Sequence, residues 1–404
     1  MTPDVALVSP YPTNDRPGQS GVAWYSRCLA HALADAGAHV TVVAPGERGS
    51  YRIEKDGPVQ VDRCFHRGPA GVLKAVGGAF ATGSPVVHVQ HEAFLYGGPE
   101  TVPSVLAALA RIRQAGRGPV VTMHQVVEPS AVGRVFTEIH RVNIPPPVAR
   151  AGLAAMQTSV ARTASRVIVH EEAFRKVLTD AVVFPLGGNV AAGPADVLAA
   201  GAARMRAAAG AGADALLVLC FGFVAPYKGF EAALEAAALA GPAVKMVVAG
   251  GEHPRLEGQG YLDGLRRRYG GVAHFTGFVP DDQVGAWFAA ADAVMLPYPQ
   301  PFSSSGVLAD AAAHGVPVLV SGPLAEVIGF PAEAAVPLQP AALAARLRDL
   351  AADRSRLEPL AALTATLRQG RSWEELARRH IALYEEVIDA QRSPRRAVRL
   401  GSGR

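Results

Sequence analysis

The sequence predicts an α/β protein made of two doubly wound, Rossmann-like domains that face each other across a central cleft. With 404 residues, the chain exceeds the usual size of a single hydrophobic core. In both halves, short apolar segments alternate with helical segments, as in parallel sheets with right-handed crossovers. The pattern breaks at residues 184–188, where a Gly/Ala/Pro-rich stretch begins. We therefore expect an N-terminal domain over residues 1–188 and a C-terminal domain over 189–372.

The elements of the first domain follow from short β-branched segments bounded by turn residues, which are typical of buried parallel strands. A helix is predicted where apolar residues recur on one face. Strands are expected at 5–9, 39–44, 86–90, 120–124 and 167–170, and a helix at 21–36.

The second domain repeats this alternation. Strands are expected at 216–222, 245–250, 274–276, 293–296 and 317–321, and helices at 230–240, 261–269, 281–290 and 306–314. A last helix at 373–390 comes after this sheet is complete, so we expect it to pack back on the first domain. The arginine-rich residues 391–404 are predicted to be a frayed, solvated tail.

A serine-rich loop before the helix at 306–314 is the most informative part of the sequence. Ser304, Ser305 and Gly306 precede the helix, whose first N–H groups and dipole favour an anion. Asp310, one turn further, can accept hydrogen bonds from two hydroxyl groups of a sugar. A phosphate site beside a ribose site indicates that the loop binds a nucleotide. The alternative is that the loop only caps an ordinary helix and binds no ligand.

Two further loops could bind the same anion. Lys228 lies where the first strand of the second domain leads into a helix, which suits a phosphate-binding ammonium group. Gly21 ends the loop after the first strand, where glycine lets backbone approach a ligand. This loop lacks the G-x-G-x-x-G pattern of dinucleotide-binding domains.

Polar residues follow three strands of the first domain and should line the cleft. Their side chains suit hydroxyl binding and acid–base chemistry on a carbohydrate, and His124 is the best single candidate. Glu92, Glu128, Glu171 and Glu172 would also suit a cationic acceptor, or could be solvated loop charges. The three groups are Gln90-His91-Glu92, His124-Gln125 and His170-Glu171-Glu172.

Composition limits the remaining possibilities. A formal net charge of +4 is small for this length and argues against nucleic acid as a partner. The three cysteines are widely spaced, which indicates a reducing compartment. No apolar segment reaches membrane-spanning length and no secretory signal is present, so we expect a cytoplasmic protein without membrane contact. No metal-ligand spacing occurs, and no cofactor is expected.

Over nearly its whole length the sequence resembles the family-4 retaining glycosyltransferases of the GT-B fold. The resemblance lies in an ordered series of segments, each unspecific alone. They are SGVAWYSRCLAHALADAGAHVTVVAP, VVHVQHE, VVTMH, SRVIVHEEAFRKVL with FPLGG, FGFVAPYKGFEAALEA, HFTGFVPDDQVGAWFAAADAVMLPY, SSSGVLADAAAHGVPVLVS and SWEELARRHIALYEEVI.

The resemblance implies roles for several residues. Lys228 would bind the diphosphate, Asp310 the ribose, and the amides of Ser304, Ser305 and Gly306 a phosphate. His124 would approach the donor sugar, and the Gly21 loop would close over the phosphates. Phe278 and Val279 would lie near the base.

The sequence also departs from the family pattern. Phe223 stands where an arginine usually precedes the lysine, and Phe302 where a glutamate usually precedes the ribose acid. The ribose acid itself is Asp310 instead of glutamate, and Leu186 replaces a common histidine. These changes leave Lys228 with more of the charge neutralisation and leave the donor sugar open.

We therefore predict a bacterial, metal-independent, retaining glycosyltransferase that moves a hexosyl group from a nucleoside-diphosphate sugar, in particular a UDP-sugar, to a small acceptor. Gln90, His91, Glu92, Glu128 and Glu171 would bind that acceptor, for which a polyol or aminocyclitol of specialised metabolism is the hypothesis. The alternatives are a non-catalytic sugar-nucleotide-binding protein, a sugar-nucleotide epimerase, and a peripheral membrane transferase acting on a lipid-linked sugar.

Overall fold

A computed structural model describes residues 3–13, 20–46, 51–93, 95–139, 144–190, 194–256, 258–301 and 303–392. It contains two β-sheets, one formed by residues 4–183 and the other by residues 216–320. This confirms the predicted α/β fold with two doubly wound sheets.

The first sheet has eight strands in the order β3-β4-β2-β1-β5-β6-β7-β8. All neighbouring strands are parallel except β3 and β4, which form an antiparallel pair at the edge. The sequence patterns did not predict this pair of strands. They also did not predict the helices at Pro69–Ala81 and Val102–Gln114. The strands are β1 Asp4–Val8, β2 His39–Pro45, β3 Arg52–Asp56, β4 Val59–Phe65, β5 Val86–His91, β6 Gly118–Met123, β7 Arg166–Val169 and β8 Val182–Val183.

Helices cover both faces of this sheet because successive strand residues point to opposite sides. Val5 and Leu7 of β1 belong to one hydrophobic core, and Ala6 and Val8 belong to another. The helices are α1 Gly21–Asp35, α2 Pro69–Ala81, α3 Val102–Gln114, α4 Arg134–Ile139 and α5 Pro146–Thr163.

The second sheet is fully parallel, with the strand order β11-β10-β9-β12-β13. The strands are β9 Leu216–Phe221, β10 Val244–Ala249, β11 Ala273–Gly277, β12 Ala293–Leu296 and β13 Val318–Val320. Its helices are α6 Ala195–Ala208, α7 Phe230–Ala240, α8 Tyr261–Tyr269, α9 Asp281–Ala290, α10 Gly306–His314, α11 Gly322–Ile328, α12 Pro340–Ala352 and α13 Glu358–Thr366.

The last helix, α14 Trp373–Arg392, returns to the first sheet. It packs on α1 and contacts β5 and β6. Leu376, Leu383 and Tyr384 are buried in the core that this face of the sheet shares with α1. The Tyr384 hydroxyl lies 2.7 Å from His88 Nδ1 on β5. The predicted tail lies outside the described residues, apart from Gln391 and Arg392 at the end of α14.

None of the helices in the described part of the chain is both long and apolar enough to cross a membrane.

The packing of α14 predicts the effect of substitutions at Tyr384. Replacing Tyr384 by alanine should lower the free energy of unfolding by about 3–5 kcal/mol, because a fully buried ring is lost from the core. Tyr384→Phe keeps the ring but leaves His88 Nδ1 without its partner, so we expect a loss of about 1–3 kcal/mol. Guanidinium denaturation measures both. The exposed neighbour Glu385→Ala is the control, and a Tyr384→Ala variant as stable as that control would contradict the role of α14 in this core.

Candidate active site between the two sheets

Two of the three predicted anion-binding segments meet where the strand order of the second sheet reverses. This reversal lies between the adjacent strands β9 and β12. At such a point the loops that leave the two strands turn to opposite faces of the sheet and open a crevice. The loop after β9 carries Lys228, and the loop after β12 carries Ser304 and Ser305. The two segments therefore share one crevice.

A close backbone approach fixes the position of Lys228. The next residue, Gly229, has a φ of 67°, and a Cβ atom there would lie 2.1 Å from the carbonyl oxygen of Pro297, the residue before Tyr298. Only glycine lets the two loops come this close. Lys228 Nζ consequently donates a hydrogen bond to the Tyr298 hydroxyl at 2.7 Å. That hydroxyl lies 3.2 Å from Ser305 Oγ, so a single side chain links the ammonium group to the start of α10.

Helix α10 begins at a serine cap and offers backbone amides beside Lys228. Ser305 is buried and its Oγ accepts a hydrogen bond from Leu308 N–H at 3.4 Å, whereas Gly306 is exposed. The first N–H groups of a helix have no partners within the helix and carry partial positive charge. The ammonium group and these amides together can stabilise a diphosphate.

Asp310 lies one turn into α10 and contacts the segment that joins the two sheets. Its Oδ1 accepts hydrogen bonds from the backbone N–H of Asn189 at 2.9 Å and from Asn189 Nδ2 at 3.0 Å. Gly188 makes this approach possible, since a Cβ atom there would lie 2.4 Å from the carbonyl oxygen of Ala309. Burial raises the pKa of Asp310 to about 6, although the two hydrogen bonds oppose the shift. The carboxyl group is therefore ionised at neutral pH and becomes protonated in mild acid.

The serine loop is also joined to the first domain. The hydroxyl of Ser304 donates a hydrogen bond to Glu171 Oε1. Ser303 forms a backbone bridge with Gln125, directly after His124. Glu171 is buried, and Arg371 Nη2 lies 3.7 Å from its second oxygen. Burial raises the pKa of Glu171, while Arg371 and Ser304 oppose that shift.

His124 lies inside the first domain with hydrogen bonds to both of its ring nitrogens. Its Nε2 is 2.7 Å from Gln90 Oε1, and its Nδ1 is 3.0 Å from His170 Nε2. His170 Nδ1 is 2.8 Å from the carbonyl oxygen of Phe184. The ring of Tyr25 packs edge-on against His124, with 4.9 Å between centroids. Burial, together with the neighbouring histidines, holds the pKa of His124 well below its ordinary value, so the ring is neutral.

Neutral rings fix which nitrogen carries each proton. His170 Nδ1 faces a carbonyl oxygen and must carry the proton of that ring. Its Nε2 therefore accepts a hydrogen bond from the N–H group at His124 Nδ1. His124 Nε2 is then an acceptor, but it lies 2.7 Å from Gln90 Oε1, while Gln90 Nε2 lies 3.2 Å from His88 Nε2. Exchanging the oxygen and nitrogen of the Gln90 amide lets its NH₂ group donate to His124 Nε2 and its oxygen accept from a protonated His88 Nε2. The network thus runs from His170 to His88 without a charge.

The remaining donor-site candidates lie at loop and helix ends. Gly21 is the first residue of α1 and is exposed, while Ser20 caps the helix by accepting from Ala23 N–H at 3.3 Å. Phe278 and Val279 follow β11, and Phe278 is 48% exposed whereas Val279 is buried. Their roles toward a ligand stay predictions. Phe302 and most of the loop before Gly21 lie outside the described residues.

The candidates for acceptor binding differ in their accessibility. Gln90 and His91 are buried at the end of β5, and burial lowers the pKa of His91 to about 4. Glu92 follows directly. Glu128 is exposed at the turn after β6, where its Oε1 accepts a hydrogen bond from Ser130 Oγ at 2.9 Å. Gln90 and Glu171 are already engaged by protein groups, so a direct contact of either with an acceptor stays a prediction.

Three residues of the site were not among the sequence-based candidates. Tyr298 lies two positions after the end of β12, so the strand-end rule that selected Lys228 would also have selected it. Asn189 directly follows the glycine-rich break between the halves, a weaker signal. Arg371 donates to the carbonyl oxygen of Leu186 at 3.3 Å from far along the chain, and no local pattern marks it.

Within the described ranges, no group of three or more His, Cys, Asp or Glu side chains could hold a metal ion. Metal independence of the reaction nevertheless stays a prediction.

Part of the chain matches a known family model. Residues 215–353, which include Lys228, the serine loop and Asp310, match the family model described as glycosyl transferases group 1. Among curated proteins, none matches the chain significantly.

Several solved structures share the whole fold. Sucrose-phosphate synthase from Thermosynechococcus elongatus is 21% identical with a TM-score of 0.73, over 96% of this chain and 100% of that one. HepE of Anabaena in complex with UDP is 18% identical with a TM-score of 0.64, over 95% and 100% of the two chains. Trehalose 6-phosphate synthase from Burkholderia multivorans is 14% identical with a TM-score of 0.63, over 100% and 99%.

These structures establish the GT-B fold for this chain, as the resemblance implied. The family match to the second domain, taken with that fold, indicates that the chain is a glycosyltransferase enzyme with a group 1 glycosyltransferase domain.

Proposed function

We propose that this enzyme is a retaining glycosyltransferase of the family-4 type that transfers a hexosyl group from a UDP-sugar to a small polyol or aminocyclitol. The observation that carries the proposal is the placement of Lys228 beside the start of α10, at the point where the second sheet reverses its strand order. HepE, which shares the fold, has been crystallised with UDP and with UDP-glucose, which supports a uridine nucleotide as donor.

The proposed mechanism depends on stabilising the leaving diphosphate. As the glycosidic bond breaks, the anomeric carbon becomes cationic and negative charge grows on the diphosphate. The Lys228 ammonium and the first N–H groups of α10 lie beside each other, so a diphosphate bound between them would be stabilised with little reorganisation during the reaction. A cationic group and a helix start can perform this task without a metal ion.

Asp310 would hold the ribose and so place the diphosphate at the start of the same helix. An ionised carboxylate accepts hydrogen bonds from the two ribose hydroxyls. Both protein hydrogen bonds that Asp310 accepts go to Oδ1, from Asn189. The ribose contact would therefore use Oδ2 or compete with Asn189.

The acceptor would bind on the first domain and enter the cleft from that side. The contacts of Ser304 with Glu171 and of Ser303 with Gln125 hold the serine loop close to this domain. Closure of the cleft would exclude water and limit hydrolysis of the donor.

A panel of nucleoside-diphosphate sugars tests the proposal. Slow release of UDP from one UDP-sugar without acceptor, accelerated by a polyol or aminocyclitol, is the expected result. Binding without release would indicate a non-catalytic protein, and interconversion of the sugar would indicate an epimerase. Absence of binding of any nucleotide by calorimetry would contradict the donor site itself.

Substitution of Lys228 should lower turnover. Lys228→Ala removes a charge-assisted contact of about 1.5–3 kcal/mol from the transition state, so turnover should fall at least about tenfold. UDP release from the donor sugar measures it. Lys55→Ala, which removes an exposed lysine from β3, is the matched control and should retain full turnover. Equal rates in both variants would remove Lys228 from the mechanism.

The raised pKa of Asp310 predicts a pH dependence of donor binding. Affinity for UDP-glucose should fall as the pH drops through about 6, because the protonated carboxyl group is a weaker acceptor for the ribose hydroxyls. UDP-glucose is the suitable ligand, since its diphosphate does not titrate in this range. Calorimetry between about pH 5 and 8 measures the dissociation constant.

Asp310→Asn is the control for this pH dependence. It should bind more weakly than the wild type at neutral pH and lose the step near pH 6. A step that persists in the variant would assign the titration to another group.

A further inference from the structure

A cavity of about 400 Å³ lies on the first domain between the turn after β6, helix α5 and the segment after β7. Its polar lining consists of Glu128, Gln157, Thr158 and Lys176. The volume falls within the range of small-molecule sites in proteins. Neither the family match nor the donor site described above includes this cavity.

The wall of the cavity is rigid on the side of β6. Gln157 is buried in α5, and its side-chain amide forms hydrogen bonds with both the N–H and the carbonyl group of Val127, at 2.9 and 3.0 Å. This pair of bonds fixes the backbone directly before Glu128. The Glu128 carboxylate is therefore presented on a fixed support at the rim of the cavity.

The charges around the cavity leave one carboxylate without a cationic partner. Arg175 Nη1 lies 2.9 Å from Glu172, and Lys176 Nζ lies 3.4 Å from Glu326 of α11. Within the described part of the chain, Glu128 takes part in no ion pair and accepts a hydrogen bond from Ser130. The lining carries one carboxylate, Glu128, and one ammonium group, Lys176, and because Lys176 pairs with Glu326, Glu128 is the group that would attract a cationic ligand.

The cavity is also close to the donor loop. Gln125 pairs with Ser303, which precedes the serine residues of that loop. Glu128 comes three positions after Gln125, and a chain of that length spans at most about 11 Å. The rim of the cavity therefore belongs to the same short segment that pairs with the serine loop.

We propose that this cavity binds an amine-bearing polyol, such as an amino sugar or aminocyclitol, whose ammonium group pairs with Glu128 while its hydroxyls meet Thr158 and Lys176. Of the four carboxylates that the sequence offered for a cationic acceptor, Glu171 is paired with Arg371 and Glu172 with Arg175. Only the identification of this ligand as the acceptor depends on the proposed function; the binding site stands without it.

Two simple sugars test the site directly. D-Glucosamine and D-glucose differ only in the ammonium or hydroxyl group at one carbon, and their binding to the full chain in slightly acidic buffer can be measured by ligand-observed NMR. Glucosamine should bind at least about tenfold more tightly, which corresponds to one charge-assisted contact. In Glu128→Gln, a nearly isosteric variant, this preference should disappear. Circular dichroism and the thermal midpoint verify that the variant is folded.

Glu172→Gln is the matched control, because Glu172 lies close in sequence to Lys176 but outside the cavity lining; it should keep the preference. Failure of both sugars to bind, equal affinity for the two, or a preference that survives in Glu128→Gln would overturn the proposal. UDP-glucose binding is measured on the same wild-type sample. Glucosamine binding without UDP-glucose binding would uphold the site and contradict the transferase function. UDP-glucose binding without glucosamine binding would contradict the site and leave the transferase function intact.

Discussion

A buried ion pair between Glu171 and Arg371 joins the parts on which the candidate active site depends. Arg371 Nη2 lies 3.7 Å from Glu171, its Nη1 donates to the carbonyl oxygen of Leu186, and its own carbonyl oxygen accepts from Gly188 N–H. Glu171 in turn accepts a hydrogen bond from Ser304 of the serine loop. Loss of one partner of a buried pair leaves an uncompensated charge, at a cost of about 3–5 kcal/mol. This pair therefore fixes both the crossing between the sheets and the position of the serine loop.

The same crossing connects the proposed nucleotide site to the packing of α14. Gly188 passes close to the backbone of α10, which places Asn189 against Asp310, and Trp373 at the start of α14 donates to Asn189 at 3.0 Å. A carboxyl group held in this way is buried, and burial is what moves its pKa into the range of mild acid. The contact that positions the group thus also determines when it is charged.

Local sequence patterns predicted the groups that depend on strand ends and helix starts, and did not predict those that depend on distant segments. Lys228 and Ser305 lie in one crevice because each follows a strand of a parallel sheet, a rule that can be read from a few residues. The partners Arg371 and Asn189 come from segments that carry no periodic signal of this kind. The edge strand β3 was not predicted because its residues are largely exposed and charged, unlike those of a buried strand. Burial of Gln90 and His124 also escaped prediction, since polar residues after strands are normally expected in solvent-facing loops.

The burial of His124 favours a positioning role for this residue over proton transfer in the reaction. Both ring nitrogens are engaged, and the protonation pattern required by His170 and Gln90 continues to His88, which meets Tyr384 of α14. A neutral imidazole with both nitrogens engaged holds its ring plane and the adjacent backbone in place. The next residue, Gln125, is the one that pairs with Ser303. The C-terminal helix therefore supports the edge of the donor loop through a chain of hydrogen bonds, so His124 can serve the site by orienting that edge without transferring a proton.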